Sequence, residues 1–504
     1  MRFGFWKTVV PSAVVLVVLL AALNWNALAR WFEGPGERPI TLYCAAGIKD
    51  AVKPVADAYE REYGVRVEVD YAGSGDLLGK IQVAEEGDLY LAADTVYMED
   101  ARELGLIEEV LPIATQTVVI VVAKGNPKNI TSLAEVMRDD GTLSLANHEA
   151  AAVSRFALRT LRQAEGTSVT WEQLWEKKIT ARPTVNAVAN DVKLNSADAG
   201  IVWDATAEQY EELEAIAVPE FSGVESQIAV AVLKTSTQPT RALHFARYLT
   251  ARDRGLTKFA KYRVVEGDVW ADRPEIKVYV GGVNRPAVEE IISNFRDREG
   301  VEVLTSYNGC GVLVSQMETG GPADVYFACD TTFMDMVAND FAAPRNVSAT
   351  DMVIIAKQGN PKKITGVNDL RREGLVSGLC NPEFSALGEL SKRLLEKPEY
   401  GIWREVYDSA GDHPATADVL VVHVAEGRMD AAIVYRANTT YQREKLEIIE
   451  IHDPAARAVQ PIATAKNSKH RYLSQRLMDR ICAADARERF EKQGFDWLAP
   501  ESNP

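Results

Sequence analysis

The sequence predicts an α/β protein built from two similar domains in tandem, preceded by an N-terminal hydrophobic helix. Its 504 residues exceed the size at which one hydrophobic core keeps growing, so at least two compact units are expected. A segment that starts at Ile40 recurs from Ile276, an offset of 236 residues. Within each copy, β-rich runs alternate with runs of helical spacing, which is typical of α/β domains.

Residues 1–30 are predicted to be a signal peptide or a membrane anchor. Two basic residues precede an uncharged, apolar run at residues 9–23, the order found in export signals. The Ala-Leu-Ala at residues 27–29 fits a cleavage site, whereas a span extended through this tripeptide has about 20 residues, enough to cross a bilayer. Either fate predicts a periplasmic or otherwise extracytoplasmic protein, and an uncleaved segment would anchor it in the inner membrane. Residues 31–39, which include two glycines and two prolines, are predicted to be a tether.

The repeat places one domain at residues 40–272 and a second at 273–504. A repeat this long indicates a duplicated domain, because solenoid units have periods of about 20 to 50 residues. In the first copy we expect a strand at residues 41–45, a helix at 49–63 and a strand at 65–71. Glycines at the end of the first helix in each copy, Gly64 and Gly300, are expected to be left-handed caps.

The composition excludes several function classes. Acidic residues outnumber basic ones by 72 to 56 without a basic patch, so no nucleic-acid partner is expected. The six histidines form no HExxH motif and no zinc spacing with cysteines. Nucleophile elbows, phosphate loops and dinucleotide fingerprints are also missing from the sequence, so we expect a protein that is not an enzyme and that has no cofactor.

Two small-residue loops in the first copy suit an anion. Ligands of doubly wound sheets collect at the carboxyl ends of strands, where helix N-termini present free N–H groups. The loop around Gly47 and the Gly-Ser-Gly turn at residues 73–75 follow the first two predicted strands. The Ser74 hydroxyl is expected to cap the next helix and, with the amides of Gly75 and Asp76, to donate to an anion.

An ordered series of motifs resembles the periplasmic molybdate-binding protein family, the substrate receptors of ABC importers. In the first copy these are YCAAGIKDA, YAGSGDLLGKI, GDLYLAADTVYM, TVVIVVAKGNP, AGIVWDATA and FAKYRVV. In the second copy YNGCGVL, PADVYFACDTTFM, MVIIAKQGNP, AAIVY and FEKQGFDWL carry it. The resemblance implies two type II periplasmic-binding-protein domains, each with two lobes and a central mixed sheet. It also implies capture of a small tetrahedral oxyanion, such as molybdate or tungstate, for an ABC permease.

The resemblance also implies site residues for each domain. In domain 1 the two loop serines of the family fall on Gly47 and Ser74, the backbone donors of the second lobe fall near Val153 and Val185, and the cleft tyrosine falls on Trp203. Two of the three side-chain donors are therefore altered, which puts affinity and anion choice in question. In domain 2 the corresponding residues are Val283, Cys310, Leu387 and Tyr435, which makes oxyanion binding there doubtful.

The cysteines of domain 2 leave several alternatives open. Cys380 falls in the loop expected to lie across the cleft from Cys310, and Cys329 follows a nearby strand. Converging thiols would suit a soft metal or a disulfide, and buried inert cysteines are the third reading. Two further functions follow: a membrane-tethered sensory or scaffold protein with diverged clefts, and a thiol-based metal or redox site in domain 2.

Overall fold

The computed structural model describes residues 38–500 apart from 139, 165, 166 and 168. Of these, residues 38–250 and 254–265 form one compact unit, unit 1, and residues 251–253 and 266–500 form another, unit 2. The signal or anchor predicted at residues 1–30 lies outside the described residues, as does most of the tether. In the described part of the chain, no helix has the length and apolar character needed to span a membrane.

Unit 1 consists of short strands and helices that alternate along most of the chain. Its strands are β1 (Ile40–Ala45), β2 (Val67–Ala72), β3 (Leu89–Ala92), β4 (Ile107–Gln116), β5 (Val118–Ala123), β6 (Leu143–Ala146), β7 (Lys178–Arg182), β8 (Ala199–Trp203), β9 (Leu213–Ile216), β10 (Ser226–Leu233) and β11 (Arg263–Val264). Its helices are α1 (Lys49–Tyr63), α2 (Ser74–Ala84), α3 (Thr95–Glu103), α4 (Leu133–Val136), α5 (Ala152–Gln163), α6 (Trp171–Lys177), α7 (Val185–Lys193), α8 (Asp204–Ala207) and α9 (Pro239–Leu249).

The strands of unit 1 form two mixed sheets, one in each of two lobes. The first lobe has the strand order β11-β4-β10-β3-β1-β2, with β1 parallel to both neighbours and β10 antiparallel to both of its own. The second lobe has the order β7-β6-β8-β5-β9, with β6 parallel to its neighbours. The chain crosses between the lobes at Thr117, between β4 and β5, and returns after β9.

Unit 2 repeats this arrangement with shorter and fewer elements in its second lobe. Its strands are β12 (Glu275–Gly281), β13 (Glu302–Asn308), β14 (Val325–Phe327), β15 (Arg345–Lys357), β16 (Ser377–Gly378), β17 (Ala431–Tyr435), β18 (Leu446–Glu450), β19 (Arg457–Thr464) and β20 (Asp496–Trp497). Its helices are α10 (Arg285–Glu299), α11 (Cys310–Gly320), α12 (Thr331–Asp335), α13 (Ala386–Glu396), α14 (Trp403–Ser409), α15 (Ala417–Ala425), α16 (Arg471–Ile481) and α17 (Arg487–Lys492).

One long strand joins the two lobes of unit 2. The first half of β15 pairs with β19 in the first lobe, and from Met352 onward it pairs with β17 and β18 in the second. In unit 1 the same path is broken at Thr117 into β4 and β5. The predicted two-lobed α/β architecture with mixed sheets is thus present in both units, and the link between lobes is continuous in one of them.

Local sequence accounts for the helix that follows the first strand in each unit. In α1 the buried residues, among them Val52, Val55 and Tyr59, recur at helical spacing and face the sheet. The helix ends at Gly64, whose φ of 68° is left-handed, and α10 ends in the same way at Gly300 with a φ of 65°. The predicted left-handed caps are therefore confirmed at both glycines.

The segment between the two units packs on unit 2. Asp268 accepts hydrogen bonds from the amides of Tyr472 and Leu473, at 2.8 and 3.0 Å, and the Val269 amide donates to the Lys469 carbonyl at 3.0 Å. Residues 266–272, which the sequence repeat assigns to the first copy, therefore belong by contact to unit 2.

Candidate functional site

Unit 1 has a small cavity between its two lobes, which we call cleft 1. Its volume is about 20 Å³. All five residues predicted for domain 1 line it, namely Gly47, Ser74, Val153, Val185 and Trp203. The remaining lining residues are small or apolar apart from one threonine: Ala45, Ala46, Ala72, Gly73, Ala93, Ala151, Ala152 and Thr184.

Four helices begin at cleft 1. A 3₁₀ turn at Ala46–Ile48 leads from β1 into α1, and helices α2, α5 and α7 start at lining residues. No side chain caps α1, α2 or α5, whereas Thr184 caps α7 by accepting from the Ala187 amide at 3.3 Å. Uncapped helix N-termini offer N–H groups and a partial positive charge, so this end of the sheets suits an anion.

Ser74 does not act as the predicted helix cap. The capping position of α2 is Gly73, and Ser74 is the first helical residue. The Ser74 Oγ instead accepts a hydrogen bond from the Ala93 amide at 3.2 Å, and Tyr90 donates to the Ser74 carbonyl at 2.8 Å. Since the Oγ accepts from this amide, its own hydroxyl proton remains to be donated to a ligand.

The amide of Gly75, predicted to bind the anion, holds the two lobes together instead. It donates to the Ala150 carbonyl of the second lobe at 2.8 Å. Tyr97, also from the first lobe, donates to the carbonyls of His148 and Glu149 at 3.2 and 2.7 Å. Unit 1 is therefore in a closed state, in which first-lobe donors reach the loop before α5.

Gly47 and Val185 face each other across cleft 1. A Cβ atom on Gly47 would lie 2.9 Å from a methyl group of Val185, so a serine side chain does not fit here without movement. In unit 2 the sizes are exchanged, since Val283 replaces Gly47 and Ala417 replaces Val185 at the first position of the corresponding helix. The side chain of Val185 therefore occupies the space that a first-loop serine at residue 47 would need.

Cleft 1 is electrically neutral in its side chains. None of the described residues that line it is ionisable. Two acidic residues directly follow lining residues, Asp94 after Ala93 and Asp204 after Trp203, and Asp94 caps α3 by accepting from the Tyr97 amide at 3.0 Å. Burial raises the pKa of Asp94 to about 7, although the Tyr97 amide and the Arg155 guanidinium act in the opposite direction. An anion in cleft 1 would therefore be held by hydrogen bonds from neutral donors.

The equivalent cavity of unit 2, cleft 2, has the same volume of about 20 Å³. The four residues predicted for domain 2, Val283, Cys310, Leu387 and Tyr435, all line it. The other lining residues are Gly282, Gly309, Cys329, Ser385, Ala386, Ala415, Thr416, Ala417, Asp418 and Asn438. As in unit 1, an amide near the start of the second helix spans the lobes, because Gly311 donates to the Phe384 carbonyl at 3.2 Å.

A carboxylate distinguishes cleft 2 from cleft 1. Asp418 is the second residue of α15, at the position that Asn186 holds in α7. Its Oδ1 accepts from the side chains of Asn438 and Tyr441, both at 3.1 Å. The Tyr435 hydroxyl and the Asn438 Oδ1 are buried and have no hydrogen-bond partner. A negative charge at this helix N-terminus opposes the binding of a dianion.

Two of the three cysteines expected near cleft 2 meet there. The Sγ atoms of Cys310 and Cys329 are 2.9 Å apart, and both residues line the cavity. Cys380 is buried and lies outside the lining, and burial raises the pKa of its thiol to about 12. The sulfur that meets Cys310 is therefore that of Cys329, whereas Cys380, expected across the cleft from Cys310, does not line the cavity. The described chain contains no group of three histidine, cysteine or acidic residues arranged to hold a metal ion.

Sequence reasoning missed Asp418, Asn438 and the capping role of Thr184. The repeat carried a signal for two of them, because Thr184 and Asn186 match Thr416 and Asp418 at the same offset of 232 as the matched pair Trp203 and Tyr435. These residues matter because their helix N-termini meet at the cavity. The offset of the repeat does not reveal which helices meet there.

A family profile described as bacterial extracellular solute-binding protein matches residues 40–262 and again residues 276–496. The molybdate-binding protein ModA of Mycobacterium tuberculosis is 30% identical over 256 residues, which cover 50% of this chain and 94% of the relative. ModA of Escherichia coli K12 is 22% identical over 241 residues, which cover 46% of this chain and 92% of that protein.

Among solved structures, the sulfate-binding protein SubI of Mycobacterium tuberculosis aligns with a TM-score of 0.39 and 18% identity. The alignment covers 45% of this chain and 88% of SubI.

Proposed function

Because the chain belongs to the bacterial extracellular solute-binding protein family, whose profile its two repeats match, we propose that it captures a small tetrahedral oxyanion in cleft 1. Members of this family are substrate-binding proteins of transport systems and are not enzymes. We extend the proposal to delivery of this oxyanion to an ABC permease, and we name molybdate or tungstate as the ligand. The molybdate-binding relatives support that choice of anion.

One observation carries the proposal: four helix N-termini and the Ser74 hydroxyl meet at a small cavity whose side chains bear no charge. Helix N-termini bind tetrahedral anions through their N–H groups. The donors come from both lobes, with Gly47 and Ser74 in the first and Val153, Val185 and Trp203 in the second. A ligand that contacts both lobes favours the closed form, which is how capture and closure are linked.

The size of the cavity supports a compact ligand. A cavity of about 20 Å³ between closed lobes favours a compact ligand over a sugar or a peptide. The substitution of Gly47 for a serine removes one donor relative to the family pattern, so we expect anion selectivity to depend more strongly on Ser74 and on the backbone amides.

Cleft 2 is proposed not to bind the same anion. Asp418 places a carboxylate at the N-terminus of α15, and Cys310 replaces the serine with a weaker donor. Each change weakens the attraction for a dianion at the helix N-termini.

Isothermal titration of the full chain with molybdate, tungstate, sulfate and phosphate tests the function. We expect one tight site per chain for at least one of these anions. The absence of binding heat with all four would contradict the proposal.

We further propose that residues 1–30 export the chain and hold it at the inner membrane. The apolar run at residues 9–23 is the support, together with the extracellular character of the family. Fractionation of cells that express the full chain tests this: we expect the protein in the membrane fraction after a high-salt wash. Recovery in the soluble periplasmic fraction would indicate that the segment is cleaved.

A further inference from the structure

Two thiols are in contact at the base of cleft 2. The Sγ atoms of Cys310 and Cys329 lie 2.9 Å apart, and neither cysteine is in a disulfide. Cys310 is the first residue of α11, and Cys329 lies in the loop after β14. Both are almost fully buried, with exposed fractions of 0% and 5%, and both line the cavity between the lobes.

The backbone that positions this pair is shared by both units. In unit 1 the Ala93 amide donates to the Ser74 Oγ at 3.2 Å. In unit 2 the Cys329 amide donates to the Cys310 Sγ at 3.1 Å. Because the amide of residue 329 hydrogen-bonds to the side chain of residue 310, a cysteine side chain at residue 329 lies close to that of Cys310. The contact between the thiols follows from replacing Ser74 and Ala93 by cysteines.

A third substitution makes room for the two sulfurs. Gly281 ends β12 at the position where unit 1 has Ala45 at the end of β1. A Cβ atom on Gly281 would lie 2.2 Å from the Cys329 Sγ and 2.9 Å from the Cys310 Sγ, closer than packed atoms tolerate. Three positions thus differ together. Ala45, Ser74 and Ala93 of unit 1 correspond to Gly281, Cys310 and Cys329 of unit 2. The glycine leaves the space that the two sulfurs occupy.

We propose that Cys310 and Cys329 form a thiol–disulfide exchange site in cleft 2 that is oxidised by a small-molecule disulfide when the two lobes of unit 2 are apart. The Cys310 thiolate attacks one sulfur of the incoming disulfide, and the other sulfur leaves as a thiolate that takes up the proton from Cys310. Cys329 then loses its proton and attacks the Cys310 sulfur of the mixed disulfide, which releases a second thiol. Two cysteine thiols and one disulfide give one intramolecular disulfide and two thiols, so atoms and electrons balance.

The environment supports Cys310 as the attacking group. Burial opposes ionisation of Cys310, but hydrogen bonds from the Cys329 thiol and amide outweigh it and lower the pKa of Cys310. The hydrogen bond to Cys310 is the largest cause that raises the pKa of Cys329 well above its usual value, followed by burial. Cys310 is also the first residue of α11, and the partial positive charge of a helix N-terminus stabilises a thiolate.

The other three cysteines provide an internal comparison. Cys44, Cys380 and Cys482 are buried and are not in disulfides. Burial raises the pKa of Cys482 to about 11 and that of Cys380 to about 12. In the described part of the chain, neither makes a hydrogen bond to another sulfur, in contrast to the pair in cleft 2. The site is independent of the anion proposed for cleft 1, and extracellular family membership places it where disulfides persist.

Refolding of the full chain in a buffer of reduced and oxidised glutathione tests the site without limiting access to the buried thiols. The free thiols are trapped with N-ethylmaleimide in denaturant and counted by mass spectrometry. We expect the loss of two of the five alkylatable thiols and a cross-linked peptide pair that contains Cys310 and Cys329. Retention of all five, or cross-links that involve Cys44, Cys380 or Cys482 equally often, would overturn the proposal.

Matched variants come from unit 1. Cys310→Ser and Cys329→Ala restore the unit 1 residues, and we expect each to abolish the paired loss of thiols. Gly281→Ala is expected to remove most of the disulfide, whereas Gly282→Ala, where a Cβ atom would meet its nearest neighbour at 3.6 Å, should leave it unchanged. Equal disulfide yields in Gly281→Ala and Gly282→Ala would show that the space beside the sulfurs is not required.

Discussion

Ser74 and Cys310 occupy the same place in the two units, at the first position of a helix whose N-terminus lines a cleft. Each side chain accepts a hydrogen bond from a backbone amide just after the next strand, that of Ala93 in unit 1 and that of Cys329 in unit 2. The hydroxyl keeps a proton to donate to a ligand, whereas the thiol is a weaker donor and contacts a second thiol. The chemistry at this position therefore differs between the clefts, with a hydroxyl in cleft 1 and two thiols in contact in cleft 2.

Ser74→Ala tests the donor role at this position. A hydrogen bond to a charged ligand contributes about 1.5 to 3 kcal/mol, so the variant should bind its oxyanion about 10- to 100-fold more weakly. Titration calorimetry measures the change. Ser222→Ala, which removes an exposed hydroxyl of the same unit outside the lining of cleft 1, is the control and should bind as the wild type does. Equal affinities in the two variants would exclude a direct role for Ser74.

Asp94 gives unit 1 a predicted dependence on pH. Since burial raises its pKa to about 7, the protonated carboxyl suits the folded state, and its contribution to stability is complete below pH 4 and is lost as the pH rises through 7. At about 1.4 kcal/mol per pH unit this amounts to about 4 kcal/mol. Asp94→Asn keeps a capping oxygen for the Tyr97 amide and should be more stable than the wild type at pH 8.

Urea unfolding between pH 4 and 8 measures this difference. The wild type should lose stability relative to Asp94→Asn as the pH rises. Parallel stability profiles for the two proteins would contradict a raised pKa at Asp94.

At the scale of elements, helix N-termini define both clefts. The helix starts at residues 74, 152 and 185 have counterparts at 310, 386 and 417, so the duplicated strands present the same set of helices to each cavity. What differs is the side chains at these starts, among them Asp418 in α15. The elements give the position of a site, and the residues at their ends give its chemistry.

A buried ion pair ties two helices of unit 2 together. Arg476 of α16 donates from Nε and from a terminal nitrogen to Glu299, the last residue of α10, at 2.7 and 3.0 Å. The exposed fraction of the Glu299 side chain is 1%. Arg476→Ala would leave this carboxylate buried without its main partner, and we expect a loss of about 3 to 5 kcal/mol in the free energy of unfolding of unit 2.

Denaturant unfolding of the Arg476→Ala variant checks this value. Arg487→Ala, which breaks an exposed pair with Glu491 four residues on, should change the stability by less than about 0.5 kcal/mol. Comparable losses in both variants would contradict a special role for the buried pair.

Local elements were predictable from the sequence, and contacts between distant segments were not. Helix α1 begins and ends where its apolar spacing and Gly64 indicate, because these signals act within a few residues. The use of the Gly75 amide depends on Ala150 in the other lobe, and the partner of Cys310 depends on the loop after β14. The sequence repeat likewise gives no sign that the single strand β15 takes the place of β4 and β5.

At the scale of the whole molecule, the chain holds two copies of one binding architecture with unequal clefts. Both units have two lobes with mixed sheets and a cavity of about 20 Å³. Cleft 1 has neutral side chains, whereas cleft 2 contains Asp418 and two thiols. We propose that, of the two copies of the scaffold, only the first keeps an oxyanion site.

Ligand-dependent unfolding should show this inequality. An oxyanion at 100 times its dissociation constant stabilises the unit that binds it by about 2.7 kcal/mol. Hydrogen exchange with and without the anion resolves the two units by peptide, and protection should increase in residues 40–250 but not in residues 275–500. An equal increase in both would mean that cleft 2 binds as well.

A crystal structure of the full chain with bound tungstate shows which of the two clefts binds the anion, because the anomalous signal of tungsten locates each bound ion. We predict one strong peak in cleft 1, within hydrogen-bonding reach of the Ser74 hydroxyl and of backbone amides at Gly47, Val153 and Val185, and none in cleft 2. A peak in cleft 2 beside Cys310 and Asp418, or an empty cleft 1 at saturating tungstate, would show that cleft 1 is not the single oxyanion site.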